Sequence, residues 1–161
     1  MKQINKIPKN QRVYIDESGI DKYIYRPNGR SLLGKIIHGK VSGKRYQRES
    51  FVAGKTGSKI IAPFCYEGTC NTDLFNYWVK HFLLAELIPG QVVILDNATF
   101  HKSKLTKELI ESAGCTILFL PPYSPDLNPI EVFWANLKNR IRETVRTLQN
   151  LSTAINEAFI Y

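Results

Sequence analysis

Apolar and polar residues alternate over residues 12–16 (RVYID), the period of a half-buried strand. Residues 46–53 and 59–66 (KIIAPFCY) read as two more strands, joined through the turn cluster Gly54 to Gly57. Pro63 argues against an interior position for the second of them. Between these pieces, residues 22–50 are Gly-rich and basic, with short alternating stretches such as Tyr23 to Tyr25, and read as hairpins. The period then lengthens. Thr72 is placed to cap a helix with Asp73 in its first turn, and Leu74, Phe75, Trp78, Phe82, Leu83 and Leu87 follow at helical spacing. Pro89-Gly90 stops that helix. Residues 91–96 (QVVILD) are a continuous apolar run, as in a strand buried on both faces. Ser103 caps a helix carrying Leu105, Leu109 and Ile110, ended by Gly114, and residues 115–120 (CTILFL) form another buried strand. After a Pro-rich loop, PPYSPDLNP, a long helix places Ile130, Phe133, Trp134, Leu137 and Ile141 on one side. Residues 151–159 read as a short amphipathic helix.

Three strands with short connections precede helix–strand–helix–strand–helix. This order predicts an α/β fold: a mixed five-stranded sheet, three antiparallel strands then two parallel ones, flanked by helices. At 161 residues the expectation is a single domain. No internal repeat, low-complexity tract or linker interrupts it. No apolar run approaches the ~18–20 residues of a membrane span, and the basic start has no apolar segment of the signal-peptide kind. Cys65, Cys70 and Cys115 are odd in number and contain no CxxC, which argues against a disulfide framework or a zinc site and suits a reducing compartment.

Charge adds a partner to this picture. The net charge is +8, from 22 Lys and Arg against 14 Asp and Glu. Residues 1–60 hold 14 of the basic residues and 4 of the acids, so the entire excess lies in the first third, where Lys44, Arg45 and Arg48 stand close together. Such a block suits a polyanion, because each neutralised phosphate releases condensed counterions. A solvated basic face is the plainer alternative.

Three acids stand where chemistry is expected in such a fold. Asp16 ends the first predicted strand, Asp96 ends the strand 91–96, and Glu131 opens the last helix. Ligands of an open α/β sheet gather beyond the carboxyl ends of its parallel strands. If the first strand and 91–96 are parallel neighbours, Asp16 and Asp96 share that edge, and the loop 121–129 brings Glu131 beside them. Converging carboxylates repel one another and stay ionised only with cations among them. Hard oxygen donors favour Mg²⁺ or Mn²⁺. Two such ions ~4 Å apart suit in-line attack at phosphorus. Each acid also has a structural reading. Asn128-Pro129-Ile130-Glu131 fits a helix cap, and Asp96-Asn97 fits the start of a turn. Asp16 and Glu17 point to opposite strand faces, so at most one joins the site, and spacing alone does not choose between them.

The segments Asp16-Glu17-Ser18, 94–101 (ILDNATFH) and 120–131 (LPPYSPDLNPIE) closely resemble DDE-type transposases of bacterial insertion sequences in the mariner superfamily. Asp96 and Glu131 are separated by 34 residues, a spacing typical of that superfamily's second and third acids. The resemblance runs from about Val13 to about Arg142. It implies a ribonuclease H-like fold with Asp16, rather than Glu17, joining Asp96 and Glu131 as catalytic, metal-binding triad. It further implies two Mg²⁺ ions, replaceable by Mn²⁺, hydrolysis at transposon ends, and attack of the freed 3′-hydroxyls on target DNA. A homodimer acting in the cytoplasm, at the nucleoid, is expected on the same ground. Complete relatives carry helix-turn-helix units before the catalytic domain. Only about ten residues precede the first strand here, so the expectation is a catalytic half with a basic hairpin insertion at about 22–59, and three origins fit it: a split enzyme with a separately encoded helix-turn-helix partner, a trimmed chain, or a decayed remnant.

Around this triad, Asn97 is a candidate support for the metal ligands. His101, at a position where the family has histidine, touches a phosphate, orients the Asp96 loop, or packs locally. Lys138 and Arg142 fall within ~20° of Glu131 around the last helix and are candidate DNA-backbone contacts, or simply a solvated stripe. Tyr123 and its neighbouring prolines read as stiffening for the loop that carries Glu131. Gly54-Lys55-Thr56 is no phosphate-binding loop, because position 49 is Glu and no helix pattern follows. Two other readings fit the same residues: a metal-dependent nuclease without strand transfer, and a non-catalytic DNA-binding remnant.

Overall fold

The computed structural model describes residues 2–21, 48–122, 124, 127–148 and 151–160. The basic segment 22–47, with Lys44, Arg45 and the expected hairpins, lies outside the described residues, as does Tyr123. A short helix α1 (Lys2–Lys6) and a 3₁₀ turn lead into β1 (Arg12–Asp21). There follow β2 (Arg48–Thr56), β3 (Lys59–Glu67), α2 (Thr72–Trp78), β4 (Val92–Leu95), α3 (Lys104–Ser112), β5 (Thr116–Phe119), α4 (Ile130–Leu148) and α5 (Leu151–Ile160). The sheet order is β3-β2-β1-β4-β5. The β1–β2 and β2–β3 pairs are antiparallel, and β1–β4 and β4–β5 are parallel. This is the mixed five-stranded sheet that the period change predicts. Among the described residues, no helix is long and apolar enough to cross a membrane.

Strand alternation distributes the core over two faces. Val13 and Ile15 of β1 and Val93 and Leu95 of β4 pack with Phe75, Trp78, Leu83 and Ile110 of the α2–α3 side. Even-numbered Ile20 joins Phe51, Ala53 and the α4–α5 residues Ile130, Trp134, Leu137, Ile141 and Ala154 on the other. Trp78 and Trp134 are both buried, as their helical phase requires.

Several boundaries depart from the sequence pattern for physical reasons. β1 runs five residues beyond Asp16, although ESGID has no alternation, because its backbone stays paired with β2 as far as Asp21↔Arg48. Asp16 is therefore mid-strand. Gly54 sits within β2, opposite Ile61, and the turn falls at Gly57, whose φ of 57° suits glycine. Pro63 lies on the edge strand β3, where the β2–β3 register shifts between Val52 and Gly54. Beside it the Ala62 N–H donates to Glu86 Oε1 at 2.8 Å and the Ala62 carbonyl accepts from Trp78 Nε1 at 2.8 Å.

Asn71, not Thr72, caps α2, accepting the Leu74 N–H at 2.9 Å. A π turn at Val79–Leu83 then shifts the helical phase, which leaves Phe82 exposed against Phe64 rather than in the core. Ser103 caps α3 as expected, but Leu105 faces solvent while Thr106 and Ile110 turn inward. β5 is an edge strand and is only partly covered, not buried: Thr116 and Phe119 are exposed.

Candidate active site

The parallel pairing of β1 with β4 ends at Tyr14↔Ile94. Two residues further along each segment stand Asp16 and Asp96. The register thus sets them side by side just past the point where the ladder stops. Asp16 shares the strand face of Tyr14 and Ile20, toward α4. Glu131 opens α4 on that same face. Asp16, Asp96 and Glu131 line one cavity of about 430 Å³, together with Asn97, Asn128 and the loop residues Pro121, Pro122 and Ser124.

Asn128 joins the third acid to the first. Its side-chain Nδ2 donates to the Ile15 carbonyl at 3.4 Å, beside Asp16, and its Oδ1 accepts from the Ile130 N–H at 3.4 Å. The Glu131 N–H donates to the Asn128 carbonyl at 3.1 Å. The helix-cap and cavity readings of this segment are thus compatible. The cap holds the start of α4 against β1, and Glu131 lines the cavity from there. The pattern Asn-Pro before a helix signals the cap, but nothing in sequence signals the bond to Ile15.

Asp96 likewise makes its turn and lines the cavity at once. Its Oδ1 accepts from the Ala98 N–H at 2.9 Å and from His101 Nδ1 at 2.7 Å. Asn97 Nδ2 donates to the Leu120 carbonyl, tying the same loop to the end of β5. The His101 side chain is wholly buried between Phe75 and Phe100, each ring centroid 4.4 Å away, so it reaches no phosphate. Its Nε2 donates to Glu17 Oε1 at 2.8 Å. This contact of Glu17, on the opposite face of β1 from Asp16, is one that the sequence pattern does not reveal. Only the adjacency of Glu17 to Asp16 hints at it.

Electrostatics separate these groups. Loss of water pushes the Asp16 carboxyl up to about 7, with Glu17 and Glu131 adding repulsion. The Asp96 carboxyl is held below its ordinary range, first by the hydrogen bond from His101. Burial alone would depress the His101 imidazolium, but its bonds to Asp96 and Glu17 outweigh it and raise the group to about 9. Lys138, half-buried, is depressed first by burial and then by Arg142 and Arg48, against the pull of Glu131 and Asp16. Lys138 thus feels both the acids Glu131 and Asp16 and the cations Arg142 and Arg48. The Arg142 Nη1 also donates to Asn139 Oδ1 at 3.1 Å.

The donor set is one of hard oxygens, with the Asp16 carboxyl raised first by loss of water and then by its acidic neighbours. These residues fit a divalent cation of the Mg²⁺ kind. Among the described residues, no three His, Cys, Asp or Glu side chains are drawn close enough to enclose one ion. The acids share a cavity rather than a finished coordination shell.

A family model described as DDE superfamily endonuclease matches residues 11–153. The chain belongs to the DDE superfamily endonucleases. The chain is 28% identical over 127 residues to the Tc3 transposase, a transposable-element protein of Caenorhabditis elegans, over 77% of this chain and 36% of that one. In three dimensions this DDE endonuclease chain is similar to the Mos1 transposase in a pre-cleavage transpososome, with TM-score 0.63 and 17% identity, over 80% of this chain and 41% of that one. It is also similar to the Mos1 transposase catalytic domain solved with raltegravir and Mg, with TM-score 0.59 and 16% identity, over 92% of this chain and 73% of that one. These likenesses show a ribonuclease H-like fold. The chain spans roughly two fifths of the length of the Tc3 and Mos1 transposases it matches.

Proposed function

We propose that this chain is the catalytic domain of a DNA transposase, with Asp16, Asp96 and Glu131 as its metal-binding carboxylates. The observation that carries the reading is that these three acids, from β1, the end of β4 and the start of α4, line one cavity in a DDE endonuclease chain. The Mos1 catalytic domain was solved with Mg, which supports the same cation here, with Mn²⁺ as its substitute. Bound at the carboxylates, two such ions would supply Lewis acidity to both the attacking and the leaving oxygen of a displacement at phosphorus. The chain's own part is positional. β1 and β4 hold Asp16 and Asp96 abreast, the Asn128 cap holds Glu131 across from them, and Asn97 anchors the Asp96 loop.

Hydrolysis at a transposon end would free a 3′-hydroxyl, and that hydroxyl would then attack target DNA in the same cavity. Lys138, Arg142 and Arg48 would hold the phosphate backbone beside it, with Lys44 and Arg45 of the basic segment as further contacts. Action on two ends implies two copies of the chain.

The test is a plasmid assay with a pre-cut end substrate and Mn²⁺. Joined products are expected. Cleavage without joining would reassign the chain as a nuclease of the same fold. Neither activity, in a chain shown to bind DNA and Mn²⁺, would mark a non-catalytic remnant.

Charge reversal, Lys138→Glu, tests the DNA face separately. DNA binding is expected to weaken and the slope of log affinity on log salt to fall by ~1, as one phosphate contact is lost. Unchanged affinity over a salt titration would make the stripe an ordinary solvated face.

A further inference from the structure

We propose that Glu17 and His101 act as a positioning pair that holds Asp96 in register with Asp16, which makes the two consecutive acids of β1 serve one site from opposite faces of the sheet. The inference rests on the reading of Asp96 as a metal ligand.

The backbone leaves a gap here. Parallel pairing between β1 and β4 stops at Tyr14↔Ile94. Beyond it, no ladder bond fixes the distance between Asp16 and Asp96. The side-chain bridge Glu17–His101–Asp96 spans this gap, with 2.8 Å from Glu17 Oε1 to Nε2 and 2.7 Å from Nδ1 to Asp96 Oδ1. Because strand residues alternate in direction, Glu17 departs toward α2 and α3 while Asp16 departs toward α4. The bridge returns from the α2–α3 side to the edge of the cavity.

Its three members grade from enclosed to open. The His101 side chain has no exposure, that of Glu17 has 14%, and that of Asp96 has 49%. Phe75 and Phe100 hold the imidazole between them, with Nδ1 turned to Asp96 and Nε2 to Glu17. Asp96 Oδ1, already taken by His101 and by the Ala98 N–H, is committed to the protein. Among the described residues, Oδ2 is the oxygen left for a ligand. A carboxylate held in this way has one orientation to offer a ligand, and the ordering cost of binding falls accordingly. Both residues act through Asp96 and touch no reacting atom, so they are positioning residues.

The pair is tested by titrating Mn²⁺ into the 161-residue chain and its variants by calorimetry, with circular dichroism as the check on folding. Glu17→Ala, which removes the acceptor of the His101 Nε2–H, and His101→Asn are each expected to weaken Mn²⁺ binding about tenfold or more. The double variant should be no weaker than the weaker single one, because both changes break one bridge. If the Glu17→Ala chain does not fold, Glu17→Asp, which withdraws the carboxylate by one methylene, is titrated in its place with the same expectation. Asp96→Asn distinguishes failure of the pair from failure of the site. Wild-type Mn²⁺ affinity in the Glu17 and His101 variants, alongside its loss in Asp96→Asn, overturns the pair and leaves the carboxylate site standing. Unchanged affinity in Asp96→Asn overturns that site and the pair with it. Losses that add in the double variant assign the two residues separate roles and also overturn the pair.

Discussion

Asp96→Asn is expected to cost on the order of 10³ in Mn²⁺-dependent cleavage, equivalent to ~4 kcal/mol of barrier, in a chain that stays folded. The substitution keeps the side chain's shape, and an amide oxygen can still accept the Ala98 N–H that closes the turn. What it removes is the negative charge. Asp96 is the acid whose ionised form the protein favours most clearly, being held below its usual range by His101 and by Ala98. It is also half-exposed at the cavity rim, so the charge is available to a cation there. Its loss strips one of three carboxylates from the site without opening a hole in the core. The check is an initial-rate comparison on a pre-cut end substrate, with a thermal melt of each protein. Activity within tenfold of wild type in a folded variant would remove Asp96 from the chemistry.

The second large effect is on stability. In the absence of divalent metal, the chain is expected to become less stable as pH rises from about 4 through about 7. The Asp16 carboxyl sits at about 7 in the fold against an ordinary 3.8. Between those values the folded state holds a proton that the unfolded state releases, which favours the fold. Above about 7 both states are ionised and the fold bears the full cost of a buried charge beside Glu17, Glu131 and Asp96. The advantage is complete below about 4 and lost through about 7, by up to ~4 kcal/mol.

Two neighbours bound the window. Asp96, depressed in the fold, costs stability only when pH falls below its ordinary range. His101, raised to about 9, contributes fully below 6.5, and its share is lost as pH rises through about 9. Melting at pH 5 and pH 8, with and without Mn²⁺, checks the balance. Mn²⁺ should raise the melting temperature far more at pH 8. Asp16→Asn should be more stable than wild type at pH 8 without metal, by several degrees, and should respond little to Mn²⁺. A melting temperature equally insensitive to pH and to Mn²⁺ in both proteins would contradict the crowding of acids around Asp16.

The architecture was legible because it is written in period. Alternation at 12–16, the unbroken apolar run 91–96 and the stripe from Ile130 to Ile141 correspond to β1, β4 and α4. What period cannot see is pairing. The second half of β1 carries Glu17, Ser18 and Gly19, which no hydrophobic pattern marks as strand, and it is held there by β2. The π turn after Trp78 breaks the phase that would bury Phe82, and edge position leaves β5 half-covered. The site divides in the same way. Asp96 and Glu131 stand out by their places at a strand end and a helix start, and Asp16 by closing the alternating run 12–16, whereas Glu17 and Asn128 are tied in by contacts made 84 and 113 residues away along the chain. Such contacts leave no local signature.

Anomalous diffraction from crystals of the chain soaked in Mn²⁺ bears most directly on the meeting of the three acids around metal. A peak is expected in the cavity between β1, β4 and α4, within coordinating distance of oxygens from Asp16, Asp96 and Glu131. A peak elsewhere, or one ligated by none of these three, would contradict the proposed site.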